Sequence, residues 1–378
     1  MGCLATVRID RARWWRYRIP FRAPFATAHG VLTRREGVLL ELTSDAGVRG
    51  LGEIAPLPGF GGSVDEVWPQ LPSAVEFLVA QWAVDDWRRL GTDEERRWPA
   101  ALRCGVETAL LDSAAQAAGC SLAAFLGSPT RVSVPLNATI GVADTAEATA
   151  AAARAVEAGF GTVKLKVGIM ASVDAELERI GAVRQAIGPD TRLRLDANEA
   201  WTAETAISII QQCEAYRLEW VEQPVGATDL LSLAKVRRAV RTPIAADESV
   251  TGADAVCALL AEGAADVLIL KPMMLGGPAA TLRMVDLASA AGVDTVTTST
   301  LETGVGLASA AHAAAALPAP WRACGLATAA LLADDLLEVP LRIEQGRLLL
   351  PEGAGLGVRV DWERLERYVI ASGELVFR

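Results

Sequence analysis

Short apolar runs return along the second half of the chain at a nearly constant interval, with helical stretches between them. The runs occupy residues 132–136, 163–167, 193–196, 220–222, 244–247 and 267–271. A strand and the following helix together take roughly 25 to 30 residues, which is typical of βα units that build a parallel sheet. Two weaker runs, 295–299 and 323–326, bring the number of units to eight. Because a Gly-rich dinucleotide fingerprint is absent, we expect a (β/α)₈ TIM-type barrel and not a doubly wound sheet.

The segments on either side of this repeat have a different pattern. Residues 38–42 and 48–53 alternate like strands around a turn at 44–47, which predicts a hairpin, and apolar residues return at helical spacing over 64–118. From residue 341 onward the chain returns to strand-like runs. We therefore predict an α+β domain over 1–130, a barrel over 131–340, and a segment over 341–378 that packs back on the first domain.

Composition excludes several classes of protein. The 378 residues carry 36 Lys and Arg against 46 Asp and Glu, a net charge of −10, which argues against a nucleic-acid binder. The longest charge-free stretch, 303–321, is weakly apolar and contains Pro318 and Pro320, so no membrane span is expected. The arginine-rich start does not resemble a secretory signal, and we expect a cytoplasmic protein.

Only two histidines are present, His29 and His312, which excludes a multi-histidine zinc site. His29 stays open as a substrate-facing residue, whereas His312 is expected to pack inside a helix.

Charged residues fall at the carboxyl ends of the predicted strands, where barrel active sites lie. They are Lys164, Lys166, Asp196, Asn198, Glu222, Asp247, Glu248 and Lys271. Any one such carboxylate could instead cap the following helix or pair with a lysine. Repetition on three neighbouring strands favours a joint role, because three carboxylates in one mouth repel each other unless a cation binds them. Oxygen ligands alone favour Mg²⁺ or Mn²⁺.

The lysines complete the predicted chemistry. Lys164 and Lys166 are two residues apart on one strand and point to the same face. We expect these like charges, near a metal, to lower each other's pKa, so that one becomes a usable base near neutral pH. Lys271 approaches from the opposite side of the barrel. A cation-bound carboxylate between these side chains favours removal of a proton α to that carboxylate.

These motifs resemble the active-site set of the enolase superfamily, in its muconate-lactonizing subgroup. They read Lys164-Leu165-Lys166, Asp196-Ala197-Asn198, Glu222-Gln223-Pro224, Asp247-Glu248-Ser249 and Lys271-Pro272. Enolase-superfamily sites pair a Lys or His base with Mg²⁺. The resemblance implies a modified barrel under a capping domain made by the N-terminal region and the C-terminal tail. The loops at 25–33 and 56–61 would then close over the substrate.

The resemblance also implies a role for each residue. Asp196, Glu222 and Asp247 would bind Mg²⁺, with Asn198 and Glu248 supporting them. Lys166 would be the acid and base, Lys164 its electrostatic partner, and Lys271 the opposing lysine. The substrate would be a small-molecule carboxylate.

The segment 298–306 is similar to a Ser/Thr-rich segment of o-succinylbenzoate synthases, which makes Ser299, Thr300 and Gly304 candidates for binding a succinyl carboxylate. Dipeptide epimerases carry an Asp-x-Asp at the eighth strand, whereas 324–328 contains no carboxylate, so that activity is disfavoured. We expect the dehydration that yields 2-succinylbenzoate in menaquinone or phylloquinone synthesis. N-succinylamino acid racemase and muconate cycloisomerase are the alternatives, and a carboxylate-binding barrel without turnover stays open. The sequence leaves the oligomeric state undetermined.

Overall fold

The N-terminal residues form an antiparallel sheet with helices on one face. A computed structural model describes residues 8–27, 30–81, 97–128 and 130–376. The first elements are β1 (Ile9–Thr27), β2 (Gly30–Ser44), β3 (Arg49–Ile54), α1 (Val64–Val67), α2 (Leu71–Gln81), α3 (Ala100–Ala117) and α4 (Leu122–Phe125). The predicted hairpin is confirmed as β2 and β3, with Val38 opposite Ile54. Helix α3 lies against β3 so closely that a Cβ on Gly52 would come 1.9 Å from the Gly105 carbonyl oxygen, which explains the two glycines.

The barrel follows as a seven-stranded parallel sheet with helices between the strands. Its elements are β5 (Ala138–Ile140), α5 (Thr145–Glu157), β6 (Thr162–Lys166), α6 (Val173–Ile187), β7 (Arg192–Asp196), α7 (Ala203–Cys213), β8 (Trp220–Glu222), α8 (Leu230–Ala239), β9 (Ile244–Ala246), α9 (Ala253–Glu262), β10 (Val267–Leu270), α10 (Pro272–Leu275), α11 (Pro278–Ala290), β11 (Asp294–Thr297) and α12 (Gly304–Ala315). The strands are hydrogen-bonded in chain order from β5 to β11. The main core lies between these strands and the helices, and Val163, Leu165, Leu193 and Leu195 belong to it.

The C-terminal tail returns to the N-terminal sheet. Its elements are β12 (Ile343–Glu344), β13 (Arg347–Leu349), α13 (Trp362–Glu366) and β14 (Val369–Val376). Strand β14 pairs antiparallel with β1, placing Gly373 opposite Trp14. The sheet order is therefore β14-β1-β2-β3, and the predicted capping domain of N-terminal region plus tail is observed. The exact domain boundaries at 130 and 340 stay predictions.

Two predicted barrel strands differ in the structure. The run at 132–136 does not supply the first barrel strand: β4 (Ser133–Pro135) pairs antiparallel with β13, and β5 begins the barrel. A short apolar run looks the same in either sheet, and its partner lies more than 200 residues further along the chain. The run at 323–326 makes only isolated bridges, Leu136 with Cys324 and Thr298 with Gly325. These bridges join the region after β11 to the region before β5, so the eighth position is reduced to a few residues.

Among the helices of the described ranges, none combines the length and apolar character that crossing a bilayer requires.

Candidate active site

The strand-end side chains meet at the carboxyl end of the barrel. Lys164 and Lys166 lie on β6, Asp196 ends β7 and Glu222 ends β8. Register places Lys166 beside Asp196, and Asp196 beside Glu222. Asp247 directly follows β9 and Lys271 directly follows β10. Parallel strands bring these ends to one edge, as the sequence predicted.

The helix-capping interpretation of the carboxylates does not hold for the described helices that follow these strands. Ser172, Thr202 and Asp229 cap α6, α7 and α8, and Gly252 precedes α9. Each cap lies several residues beyond the strand end. Asp196, Glu222 and Asp247 are therefore free of that structural task.

Lys164 bridges two of the buried carboxylates. Its Nζ lies 2.9 Å from Asp196 Oδ2 and 2.6 Å from Glu222 Oε1. Lys166 Nζ contacts the same Asp196 oxygen at 2.7 Å. The two ammonium groups thus converge on Asp196, whose side chain is inaccessible to solvent.

A polar chain continues from Lys166 to Glu248. Lys166 Nζ donates to Asn198 Oδ1 at 2.6 Å, and Asn198 Nδ2 donates to Glu248 Oε1 at 2.7 Å. The other oxygen, Glu248 Oε2, is buried and accepts no hydrogen bond from any residue in the described ranges. Burial, together with the charges of Asp247 and Asp196, raises the pKa of Glu248 to about 8. An unsatisfied buried carboxylate oxygen at this place favours an additional cation.

Lys271 completes the mouth of the barrel, on the far side from Lys166. Its Nζ lies 2.6 and 2.8 Å from the two oxygens of Asp247. The ring centre of Phe60, from the loop that follows β3, lies 4.6 Å from this Nζ. The predicted approach of the 56–61 loop to the site is therefore observed at Phe60. Residues 28 and 29 of the other predicted loop, including His29, lie outside the described residues.

Electrostatics corrects one expectation. Burial lowers the pKa of Lys164, but the charges of Asp196, Glu222 and Asp247 outweigh it, and its pKa lies above the usual value. For Lys164 the predicted lowering is therefore not seen, because its ammonium meets carboxylates first. The expectation that one of the two lysines is a usable base stays a prediction. Burial and the charge of Asp196 raise the pKa of Glu222 to about 7, whereas the two lysines overcome burial and hold the pKa of Asp196 below its usual range.

The carboxylates fit a hard divalent cation by their donor chemistry. Asp196, Glu222 and Asp247 offer only oxygens, which Mg²⁺ and Mn²⁺ prefer. Within the described residues, no three His, Cys, Asp or Glu side chains are already gathered closely enough to hold an ion. The reason is visible in the contacts, since the Lys164 ammonium lies between Asp196 and Glu222. An ion shared by these two side chains would compete with that ammonium for the same oxygens.

The predicted substrate-binding segment uses its polar groups inside the protein. Ser299 Oγ is 2.8 Å from Thr328 Oγ1, and the Thr300 amide and hydroxyl both donate to the Glu302 carboxylate. The Gly304 amide donates to the Asp335 carbonyl at 2.9 Å. Ser299 lies two residues beyond the end of β11, which pairs with β10, the strand that Lys271 follows. The role of Ser299, Thr300 and Gly304 in binding stays a prediction.

Sequence reasoning missed a residue that sets the position of Asp247. The buried Gln223 accepts hydrogen bonds from the amides of Asp247 at 2.9 Å and Ser249 at 3.2 Å. Its amide nitrogen donates to the Val225 carbonyl and to Ser249 Oγ. Gln223 thus ties the end of β8 to the end of β9. Its place next to Glu222 was the available signal.

His312 behaves as a packing residue. It is buried, with Nδ1 accepting from the Ala123 amide and Nε2 3.1 Å from the Leu356 carbonyl oxygen. Burial lowers its pKa to about 4.

Comparison with known proteins agrees with this arrangement. Residues 147–364 match the family described as "Enolase C-terminal domain-like", and residues 9–111 match the family described as "MenC, N-terminal domain". Together the two matches cover most of the barrel and β1 to β3 of the sheet that packs over it.

Individual relatives carry several activities. The chain is 43% identical over 227 residues to the o-succinylbenzoate synthase of Thermobifida fusca, covering 59% of this chain and 69% of that protein. It is 31% identical to the N-succinylamino acid racemase of Thermus thermophilus, covering 96% of this chain and 98% of that protein. Among solved structures, the muconate lactonizing enzyme of Pseudomonas fluorescens with muconolactone superposes with a TM-score of 0.89 at 27% identity, covering 96% of this chain and all of that chain.

Proposed function

The chain belongs to the enolase superfamily, and from that premise we propose that it dehydrates 2-succinyl-6-hydroxy-2,4-cyclohexadiene-1-carboxylate to 2-succinylbenzoate. The observation that carries the proposal is the separation of Lys166 on β6 from Lys271 after β10 by three strands whose ends bear the three carboxylates. The relative from Thermobifida fusca, at 43% identity, supports this reaction over the others.

The carboxylates prepare the site for an anionic substrate. Asp196, Glu222 and Asp247 would hold Mg²⁺, which supplies Lewis-acid polarisation of a substrate carboxylate when bound. Lys164, Lys166 and Lys271 offset the charge of these carboxylates, and a bound cation would add the excess positive charge that favours an anionic substrate.

Lys166 is placed to move the proton. Its side chain is 29% exposed, against 13% for both Lys164 and Lys271, so a ligand in the mouth reaches it most readily. As a neutral amine, Lys166 takes the proton from the ring carbon α to the carboxylate. The resulting ammonium then gives that proton to the departing hydroxyl, which leaves as water, and the ring becomes aromatic. A syn elimination follows, because one group serves both steps on one face.

Lys271 faces the side of the substrate ring that lies opposite Lys166. Its ammonium, held by both oxygens of Asp247, stabilises the flat anion formed after proton removal. Phe60 lies over the same ammonium and limits its access to water.

An ultraviolet assay with the proposed substrate tests the reaction. We expect metal-dependent loss of the diene absorbance, fast with Mg²⁺ and reduced to the spontaneous rate with EDTA. No acceleration by folded, metal-loaded protein would rule out the synthase reaction.

A second candidate is racemisation of an N-succinylamino acid. It is favoured by the two lysines on opposite faces, since racemisation needs one group to remove a proton and another to return it from the other side. Deuterium exchange of the α proton in both enantiomers of an N-succinylamino acid, measured by NMR, tests this activity. The binding-only alternative predicts neither reaction, and a metal titration that leaves the protein unchanged would favour it.

A further inference from the structure

Arg35 donates to backbone carbonyls of both the capping domain and the barrel. It is 2% exposed and lies on β2. Its guanidinium donates to the carbonyls of Pro56 at 2.7 Å and Ala55 on the capping side, and to those of Leu301 at 3.0 Å and Thr300 at 3.1 Å on the barrel side. A fifth donor reaches the carbonyl of its neighbour Glu36. A guanidinium has five N–H donors, so no other side chain can replace this set.

Glu53 makes the opposite contact nearby. It is 1% exposed and lies near the end of β3. Its carboxylate accepts from the amides of Thr303 at 2.8 Å and Gly306 at 2.7 Å, and from the Thr303 hydroxyl at 2.7 Å. Tyr17 donates its hydroxyl to the same carboxylate at 2.5 Å. Because these amides form the N-terminus of α12, a buried anion is favourable there.

The two side chains therefore hold one short barrel segment from both ends. Arg35 binds carbonyls at 300–301, and Glu53 binds amides at 303 and 306. Leu301 between them has φ of +64°, a left-handed conformation that a leucine adopts only when its surroundings enforce it. The same Arg35 holds the carbonyls that open the loop leading to Phe60.

These contacts connect two walls of the site. One wall is the loop with Phe60, over Lys271. The other is the start of the segment after β11, with Ser299 beside the strand that leads to Lys271. We propose that Arg35 and Glu53 form a clamp that fixes the separation of these walls, so that Arg35 is a positioning residue for substrate selection. The consequence for turnover rests on the function proposed above, whereas the clamp itself does not.

Hydrogen exchange measured by mass spectrometry tests the clamp without any substrate. In Arg35→Met we expect amides in both 55–62 and 299–306 to exchange about tenfold faster than in the unchanged protein. In Glu53→Gln we expect the effect to centre on 303–306. Arg184→Met is the matched control, because Arg184 also donates to backbone carbonyls, those of Gly188 and Thr191, but between α6 and β7 at the other end of the barrel. Unchanged exchange in Arg35→Met, or a change equal to that in Arg184→Met, would overturn the clamp.

Kinetics separates positioning from a general loss of structure. We expect Arg35→Met to raise KM for the succinyl substrate about tenfold while kcat per folded molecule stays within about twofold. Arg35→Lys keeps the charge and three donors, and should recover part of the loss. A fall in kcat in proportion to the folded fraction, with KM unchanged, would reduce Arg35 to a structural residue. If the unchanged protein does not dehydrate the substrate, the function proposed above fails, and the exchange experiment still decides on the clamp.

Discussion

Both ends of the barrel interior contain charged side chains, but the cations differ. Lysines lie at the carboxyl end, and an arginine lies at the amino end. Along β6, β7 and β8, the residues that face inward alternate with apolar residues that face the helices. Near the carboxyl ends these inward residues are Lys166, Asp196 and Glu222. One step toward the amino ends they are Lys164, Arg194 and Trp220, which lie side by side in register. The Lys164 ammonium reaches Asp196 and Glu222 in the mouth, so Arg194 is the cation of this layer that stays at the base.

Arg194 closes the base of the barrel. It is 1% exposed and donates to Glu219 at 2.7 Å, to Asn137 at 3.1 Å and to the Ala323 carbonyl at 2.7 Å. Its guanidinium carbon lies 3.7 Å from the centre of the Trp220 ring. An arginine keeps its proton in proteins, whereas a lysine amine can give up a proton and take it back. The comparison teaches that a buried arginine with many partners closes the amino end of the barrel, whereas the carboxyl end has lysines, the side chains that are able to exchange protons.

Removing Lys166 should have the largest effect. In Lys166→Ala, dehydration should fall by about 10⁴-fold, because no other side chain in the motif set is placed to move the proton. The absorbance assay measures this loss. Lys235→Ala is the matched control, since Lys235 forms an exposed ion pair with Glu204 on the outer helices. Retained dehydration in Lys166→Ala would remove the base assignment and with it the contrast between the two ends.

Removing Arg194 should have the reverse effect, with stability lost and activity kept. Arg194→Met removes the tightest partner of Glu219, which keeps Arg322 at 3.2 Å, and it leaves the Ala323 carbonyl without this donor. The free energy of unfolding should fall by about 1–3 kcal/mol. Denaturant unfolding measures the loss, and kcat of the remaining folded enzyme should stay within about twofold. A large fall in kcat without a loss of stability would mean that the amino end of the barrel, where Arg194 lies, takes part in the chemistry.

Lys271 should affect rate and leave the fold intact. In Lys271→Met, loss of the ammonium that faces the anion should lower kcat by about 10²–10³-fold. Binding of Mg²⁺, followed by calorimetry, should change little, because Asp196 and Glu222 keep their oxygens. Metal binding that disappears together with activity would place Lys271 in the support of Asp247 instead of opposite Lys166.

The strand-end motifs were predictable because a βα repeat fixes where strand ends meet. Once β6 to β10 are recognised, Lys166, Asp196 and Lys271 must lie at one edge. The number of strands was predicted less well, because the run 132–136 finds its partner in β13, far along the chain. Nothing in the sequence indicated the role of Arg35, because its barrel partners are the backbone carbonyls at 300–301, which residues of any type could provide.

The smallest expected effect concerns the pH dependence of stability. It extends the comparison to the contact between α3 of the capping domain and α11 of the barrel. Glu107 on α3 is buried and accepts hydrogen bonds from the Ala279 and Ala280 amides at the start of α11. Burial raises its pKa to about 7, against partial compensation by Arg283 and the amides. Because this pKa is higher in the folded than in the unfolded state, the stabilising contribution is fully present below about pH 4.5 and is lost as pH rises through 7.

Glu107→Gln keeps an acceptor for those amides and removes the ionisation. Between pH 5 and 8, the unchanged protein should lose about 1–3 kcal/mol of unfolding free energy that the variant retains, as measured by urea unfolding at several pH values. Exposed Glu262→Gln is the control and should follow the unchanged protein. Asp112, Glu222 and Glu248, whose pKa values burial also raises, should leave a slope of the same sign in the variant and in the control alike. Parallel curves for all three proteins would mean that burial between α3 and α11 does not raise the pKa of Glu107.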